Sequence, residues 1–74
     1  MINNRDIVLI TAFGQNLRKL RKSKGFSQSE LTHRADLSKN MVGNIERGEV
    51  NPTLTTIIAL AKALGITQSE LMDY

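Results

Sequence analysis

The sequence predicts an all-α domain of five helices, and three observations carry that reading. Gly25, Gly48 and Gly65 each follow a segment of helical periodicity, where a left-handed residue ends a helix without steric cost. After two of them the same start signal recurs. Phe26-Ser27-Gln28-Ser29-Glu30-Leu31 and Ile66-Thr67-Gln68-Ser69-Glu70-Leu71 each hold a capping box flanked by a hydrophobic staple. No stretch alternates with period two for long enough to make a strand. The nearest, Asp6 to Ile10, runs on into Phe13 and Leu17 without a breaker and reads as helix.

The elements follow in chain order. The first helix is expected from about Asn4 to Lys24, with Ile10, Phe13, Leu17 and Leu20 on one stripe. The second covers about Gln28 to Ala35 and turns Leu31 and Ala35 inward. In Leu37-Ser38-Lys39-Asn40-Met41-Val42 the cap, Ser38, and the staple are present but the acid is missing. That places a third helix from about Lys39 to Arg47, with Val42 and Ile45 inward. Pro52-Thr53 marks a fourth start, so a helix from about Leu54 to Leu64 follows, with Leu54, Ile57, Ile58, Ala61 and Leu64 expected inward. A short fifth helix begins after Thr67 and carries Leu71 and Met72.

Composition narrows the function. Seventy-four residues make one domain, expected over 1–74. With no cysteine there are no disulfides, thiolate metal sites or cysteine nucleophiles, and the single His33 makes neither a metal site nor a catalytic pair. His33 reads as an exposed polar position on the second helix. Glu30 and Glu70 are accounted for as caps, so no paired acid–base groups are left to act as an enzyme, and no cofactor is expected. One tyrosine, two phenylalanines and no tryptophan argue against a stacking platform for single strands. The apolar run Ile7-Val8-Leu9-Ile10 is too short for a signal-peptide core or a membrane span, which points to the cytoplasm. Five capped helices sharing a core likewise argue against a peptide that lies on membranes.

Charge is unevenly placed. Between Arg18 and Arg47 eight Lys or Arg stand against three acids, a net of +5, while the other residues sum to −2 and the whole chain to +3. So basic a middle segment suits a polyanion. It also contains the tightest helix connection in the chain, Ala35-Asp36-Leu37-Ser38. Two short helices joined that closely cross steeply, which is the helix-turn-helix arrangement, here about residues 28–47. Lys39, Asn40, Gly43, Asn44 and Arg47 fall on the outward side of its second helix. Asn40 and Asn44 are poor helix formers, so their presence there points to function.

At these residues the sequence resembles the Cro and repressor type of bacterial and phage helix-turn-helix regulators. The matching words are Leu17-Arg18-Lys19-Leu20-Arg21, Gly25-Phe26-Ser27-Gln28-Ser29-Glu30-Leu31, Ile45-Glu46-Arg47-Gly48, Asn51-Pro52-Thr53-Leu54 and Leu60-Ala61-Lys62-Ala63-Leu64-Gly65, in the family's order and spacing. The chain departs from the pattern at Thr32, where alanine is usual, and at Asp36, where glycine is usual. Gly43, inside the third helix, is read either as close backbone approach to DNA or a thymine methyl, or as simple tolerance.

The resemblance implies a compact, lambda-repressor-like fold and a partner, double-stranded DNA, with the third helix in the major groove. By the same likeness Lys39, Asn40, Gly43 and Asn44 would read bases, asparagine pairing with adenine and lysine with guanine. Lys39 would otherwise serve as a phosphate contact. Gln28, Ser38, Arg47 and Asn51 would hold phosphates, and Arg21 would pair with Glu46 to brace the third helix. Such domains act in pairs, so a homodimer on an inverted repeat is expected, using Ile66, Leu71, Met72 and Tyr74, with residues 66–74 contributing and Val8 and Leu9 available beside them. The likeness extends to controller proteins of restriction-modification systems and to phage repressors, with RNA polymerase as a further partner. The alternative is an antitoxin that binds both its toxin protein and its own operator.

Overall fold

A computed structural model of the chain describes residues 4–74, and it holds five helices with no strand among them. They are α1 (Asn4–Ser23), α2 (Gln28–Arg34), α3 (Met41–Glu46), α4 (Leu54–Leu64) and α5 (Gln68–Leu71). Their apolar faces converge on one core of Phe13, Leu17, Leu31, Ala35, Val42, Ile45, Leu60, Ala61, Leu64 and Leu71. Every helix supplies at least one of these residues, and burying each large side chain is worth about 1.5–3 kcal/mol.

Two of the start signals form as written. Ser27 Oγ accepts from Glu30 N at 3.0 Å while Ser27 N donates to Glu30 Oε1 at 3.1 Å, and Thr67 and Glu70 make the same reciprocal pair at 3.0 and 3.1 Å. Thr53 caps α4 through Thr56 N. Thr32 and Asp36, the two departures in the motif, are both accommodated. Thr32 Oγ1 donates to the Gln28 carbonyl one turn back at 2.7 Å, and Asp36 takes a left-handed backbone at φ 55°.

Three expectations are corrected. The first concerns the third helix, which starts at Met41 rather than Lys39 and is not capped by Ser38. Asn40 occupies the cap position at φ 69°, a backbone that asparagine tolerates better than most residues, and makes no side-chain cap bond. Met41 N donates to the Ser38 carbonyl across that turn, leaving Ser38 and Lys39 ahead of the helix. Asn40 thus has a conformational reason for its place that helix propensity alone misses.

The second correction is the phase of α4. Leu54 is 70% exposed, whereas Leu60, Ala61 and Leu64 are buried and Ile57 packs beside them. The segment is apolar nearly all round, so two different stripes satisfy the i, i+3, i+4 rule, and only packing chooses between them. The third is Leu71. It is fully buried, so it completes the core and has no surface to offer a partner.

The short α5 is held by polar contacts as well as by Leu71. Asn16, buried on α1, donates from Nδ2 to the Leu71 carbonyl at 2.7 Å. Hydrogen bonds from the Thr67 backbone and side chain, helped by the charge of Lys24, lower the Glu70 carboxyl below its ordinary value of 4.5. A lowered carboxyl adds stability that is complete above the ordinary value and is lost as pH falls through the lowered one. Glu70→Gln keeps the cap geometry but removes the charge. The gap in urea midpoint between wild type and Glu70→Gln is therefore expected at pH 7 and should shrink by pH ~3. An equal gap at both pH values would show that charge has no part in the cap.

Candidate nucleic-acid interface

A buried ion pair lies where α1, α2 and α3 meet. Arg21 Nε and Nη2 grip Glu46 Oε2 and Oε1 at 2.6 and 3.0 Å, a two-pronged ion pair whose side chains are 9% and 3% exposed. Arg21 Nη1 donates to the Phe26 carbonyl at 2.8 Å, tying the α1–α2 turn into the same fork. The hydrogen bond to Glu46 raises the Arg21 pKa above its ordinary value although burial opposes it, so the guanidinium stays charged. Gln28 Nε2 then donates to Glu46 Oε1 at 3.0 Å, which aligns the first turn of α2 with the last turn of α3. Planar bidentate pairing fixes orientation as well as distance. It sets how α3 stands on the body of the protein.

A close backbone contact reinforces that seat. Gly14 lies on the buried side of α1, and a Cβ there would lie 2.3 Å from the Ile45 carbonyl oxygen and 3.0 Å from that of Glu46. The end of α3 therefore rests directly on the α1 backbone. A glycine inside a helical stretch is the sequence signal for such an approach, and reading only the apolar stripe of α1 passes over it.

Between α2 and α3 runs an open groove lined by Gln28, Ser29, Thr32, His33, Leu37, Lys39, Asn40, Gly43, Asn44 and Arg47. All four residues expected to read bases line it. So do Gln28 and Arg47 from the expected phosphate contacts. Ser38 lies in the exposed turn ahead of α3 without lining the groove, and Asn51 stands away from it, beside Pro52 at a second depression. Arg47 is engaged at the rim, by Glu49 Oε2 at 2.8 Å and Asn44 Oδ1 at 2.6 Å. Glu49 is a participant that residue spacing did not reveal, because it follows Gly48 beyond the helix and obeys no helical period. Gly43 is buried under these side chains: a Cβ would meet Arg47 Nη1 and Gln28 Oε1, each at 3.1 Å. Its smallness lets both lie across α3.

The second depression is apolar and lies elsewhere, lined by Leu9, Ile10, Phe13, Asn51, Pro52, Ile57, Met72 and Tyr74. The Tyr74 ring meets Phe13 edge to face at 6.2 Å. Met72 and Tyr74 are about half exposed, as are Ile7, Val8 and Leu9, whereas Ile66 is partly buried against the core. Of the four residues expected to pair two copies, Met72 and Tyr74 are exposed, Ile66 is largely occupied and Leu71 is sealed inside. Among the described residues no helix is long and apolar enough to cross a membrane.

This architecture recurs in known proteins. The helix-turn-helix family model matches residues 17–71. The HTH-type transcriptional regulator y4dJ of Sinorhizobium fredii is 41% identical over 59 residues, covering 80% of this chain and 77% of its own length. Control protein C.BamHI of Bacillus amyloliquefaciens is 40% identical over 63 residues, 84% of this chain and 78% of its own. The crystal structure of the restriction-modification controller protein C.AhdI from Aeromonas hydrophila superposes with a TM-score of 0.81 at 45% identity, covering 84% of this chain and 94% of that one. The matched residues span α2, α3 and the groove between them, and the family's members are regulators and not enzymes. The chain belongs to the helix-turn-helix family of DNA-binding transcriptional regulators.

Proposed function

We propose that this chain is a single-domain, cytoplasmic regulator that binds an inverted repeat in double-stranded DNA as a homodimer, with α3 in the major groove. The observation that carries the reading is the groove itself, which gathers Lys39, Asn40, Asn44, Gln28 and Arg47 around one short helix whose tilt is set by Arg21 and Glu46. Asn44 reads a base edge, Arg47 and Gln28 hold the backbone, and Asn40 shapes the turn that delivers Lys39 to the groove. Ser38 and Asn51 serve as outlying phosphate contacts. One helix in one groove makes too few contacts for operator-level specificity, which is the reason for a pair of copies. Ile7, Val8, Leu9, Met72 and Tyr74 supply the exposed apolar face for that pairing. The two-fold axis then sets half-sites about one helical turn apart. The likeness to C.BamHI and C.AhdI turns the role toward control of restriction-modification genes, and contact with RNA polymerase would decide activation over repression.

Fluorescence anisotropy with the DNA upstream of the gene and with a scrambled duplex, at two salt concentrations, tests this. The upstream duplex is expected to bind on the order of a thousandfold tighter at physiological salt. Asn44→Ala should cost about 1–3 kcal/mol on that duplex and relax the preference at one base pair. Arg47→Ala should weaken both duplexes and lower the salt slope by about 1. Lys39→Ala sorts that residue into one class or the other. Equal, weak and salt-labile binding to both duplexes would count against the reading and bring forward an antitoxin that needs its toxin protein to bind.

A further inference from the structure

Three side chains at the rim of the groove are linked in series. Arg47 Nε donates to Glu49 Oε2 at 2.8 Å, and Arg47 Nη2 donates to Asn44 Oδ1 at 2.6 Å. A guanidinium has donors and no acceptor, so the Asn44 atom it meets is the carbonyl oxygen. The Asn44 amide is thereby oriented, with its oxygen turned to Arg47 and its NH2 left for whatever lies opposite. Gly43 eases this close approach, since a Cβ would lie 3.1 Å from Arg47 Nη1 and the guanidinium would have to give way slightly. The Arg47 and Glu49 side chains are 54% and 56% exposed, and a pair so solvated adds little to folding. Its consequence is orientation.

We propose that Glu49, by holding Arg47 against the Asn44 carbonyl, makes Asn44 a reader of guanine. This rests on the reading above that Asn44 faces base edges. A free asparagine pairs with adenine by accepting from N6 and donating to N7. Here the accepting oxygen is engaged and a cation stands beside it, so the adenine N6 amino group meets an electropositive edge. Guanine presents two acceptors, O6 and N7, which attract both the Asn44 NH2 and the guanidinium. The pairing with adenine expected from asparagine alone is thus reversed. Glu49 is a positioning residue, acting through Arg47 and Asn44.

The test selects duplexes from a pool with randomised half-sites, then titrates the selected duplex and its single-pair variants by anisotropy. Wild type, Asn44→Ala, Glu49→Ala and Glu49→Gln are compared. Wild type should select guanine at one position where exchange for adenine weakens binding about tenfold, and Asn44→Ala should flatten that position alone. Glu49→Ala and Glu49→Gln should narrow the preference to about twofold or turn it toward adenine, with the other positions and the melting temperature unchanged. A merely structural role for Glu49 would weaken every position together. The proposal is overturned if Glu49→Ala keeps the full wild-type preference for guanine, if adenine is selected by wild type at the Asn44-dependent position, or if Asn44→Ala alters no position. If no duplex is selected over the pool, DNA reading itself fails and this proposal falls with it. A selected site that ignores Glu49 sinks this proposal alone.

Discussion

Glu46→Ala is expected to destabilise the domain by about 3 kcal/mol, because it strands a buried arginine. The Arg21 guanidinium directs two donors at Glu46 and a third at the Phe26 carbonyl, and little water reaches it. Removing the carboxylate leaves two of these donors without a partner and releases the Gln28 amide. For a chain of this size such a loss lowers the melting temperature by on the order of 15 °C, readable by circular dichroism. The cost belongs to the orphaned charge more than to the pair's own contribution. Arg21→Met combined with Glu46→Leu should therefore recover much of the loss. A single-variant loss below about 1 kcal/mol would mean that the pair behaves as a surface ion pair.

Gly14→Ala comes next, and here two physical arguments oppose each other. Helix propensity favours alanine over glycine by about 1 kcal/mol inside a helix. Packing forbids it, since the added Cβ would lie 2.3 Å from the Ile45 carbonyl oxygen, 3.0 Å from the Glu46 oxygen and 3.1 Å from the Glu46 Cα. All three are backbone atoms, so no rotamer change relieves the clash and α1 and α3 must separate. Overpacking of this kind costs about 1–3 kcal/mol, and the net outcome is a loss of stability. The same separation shifts α3 and the groove with it, so DNA affinity should fall alongside the melting temperature. Gly25→Ala provides the contrast. Nothing lies within 4 Å of a Cβ there, and only the left-handed backbone at φ 76° costs, about 1–2 kcal/mol and without any effect on α3. A more stable Gly14→Ala would show that α1 and α3 do not rest on each other as described.

Local chemistry is legible wherever it acts over a few residues. Ser27 with Glu30 and Thr67 with Glu70 form the boxes that their spacing announces, and Gly25, Gly48 and Gly65 all take the left-handed backbone that ends a helix. The stripe of Ile10, Phe13 and Leu17 is buried as its period requires. The reading failed where a residue answers to a partner far along the chain or where the local pattern has two solutions. Asn40 reads as a helical residue until its backbone is seen at φ 69°. Leu54 and Leu60 compete for the inward phase of α4, and Leu71 is equally plausible as interface or core by pattern alone.

What the sequence by itself determined is the helical class, the number and order of helices, the capped starts of α2, α4 and α5 and the basic segment that carries the groove. These follow from hydrogen bonds and periodicities spanning three or four residues, which a linear reading contains. Only the tertiary structure decided that Gly14 seats α3, that Gln28 joins the Arg21–Glu46 fork, and that Glu49 restrains Arg47 beside Asn44. The Gly14 contact and the fork depend on distances between segments far apart along the chain, which are set by how the faces of α1, α2 and α3 pack. The link from Glu49 through Arg47 to Asn44 joins close neighbours, yet it follows no helical period. It depends on where the exposed side chains of the α3 end and the following turn meet, with Gly43 leaving room for the Arg47 guanidinium close by.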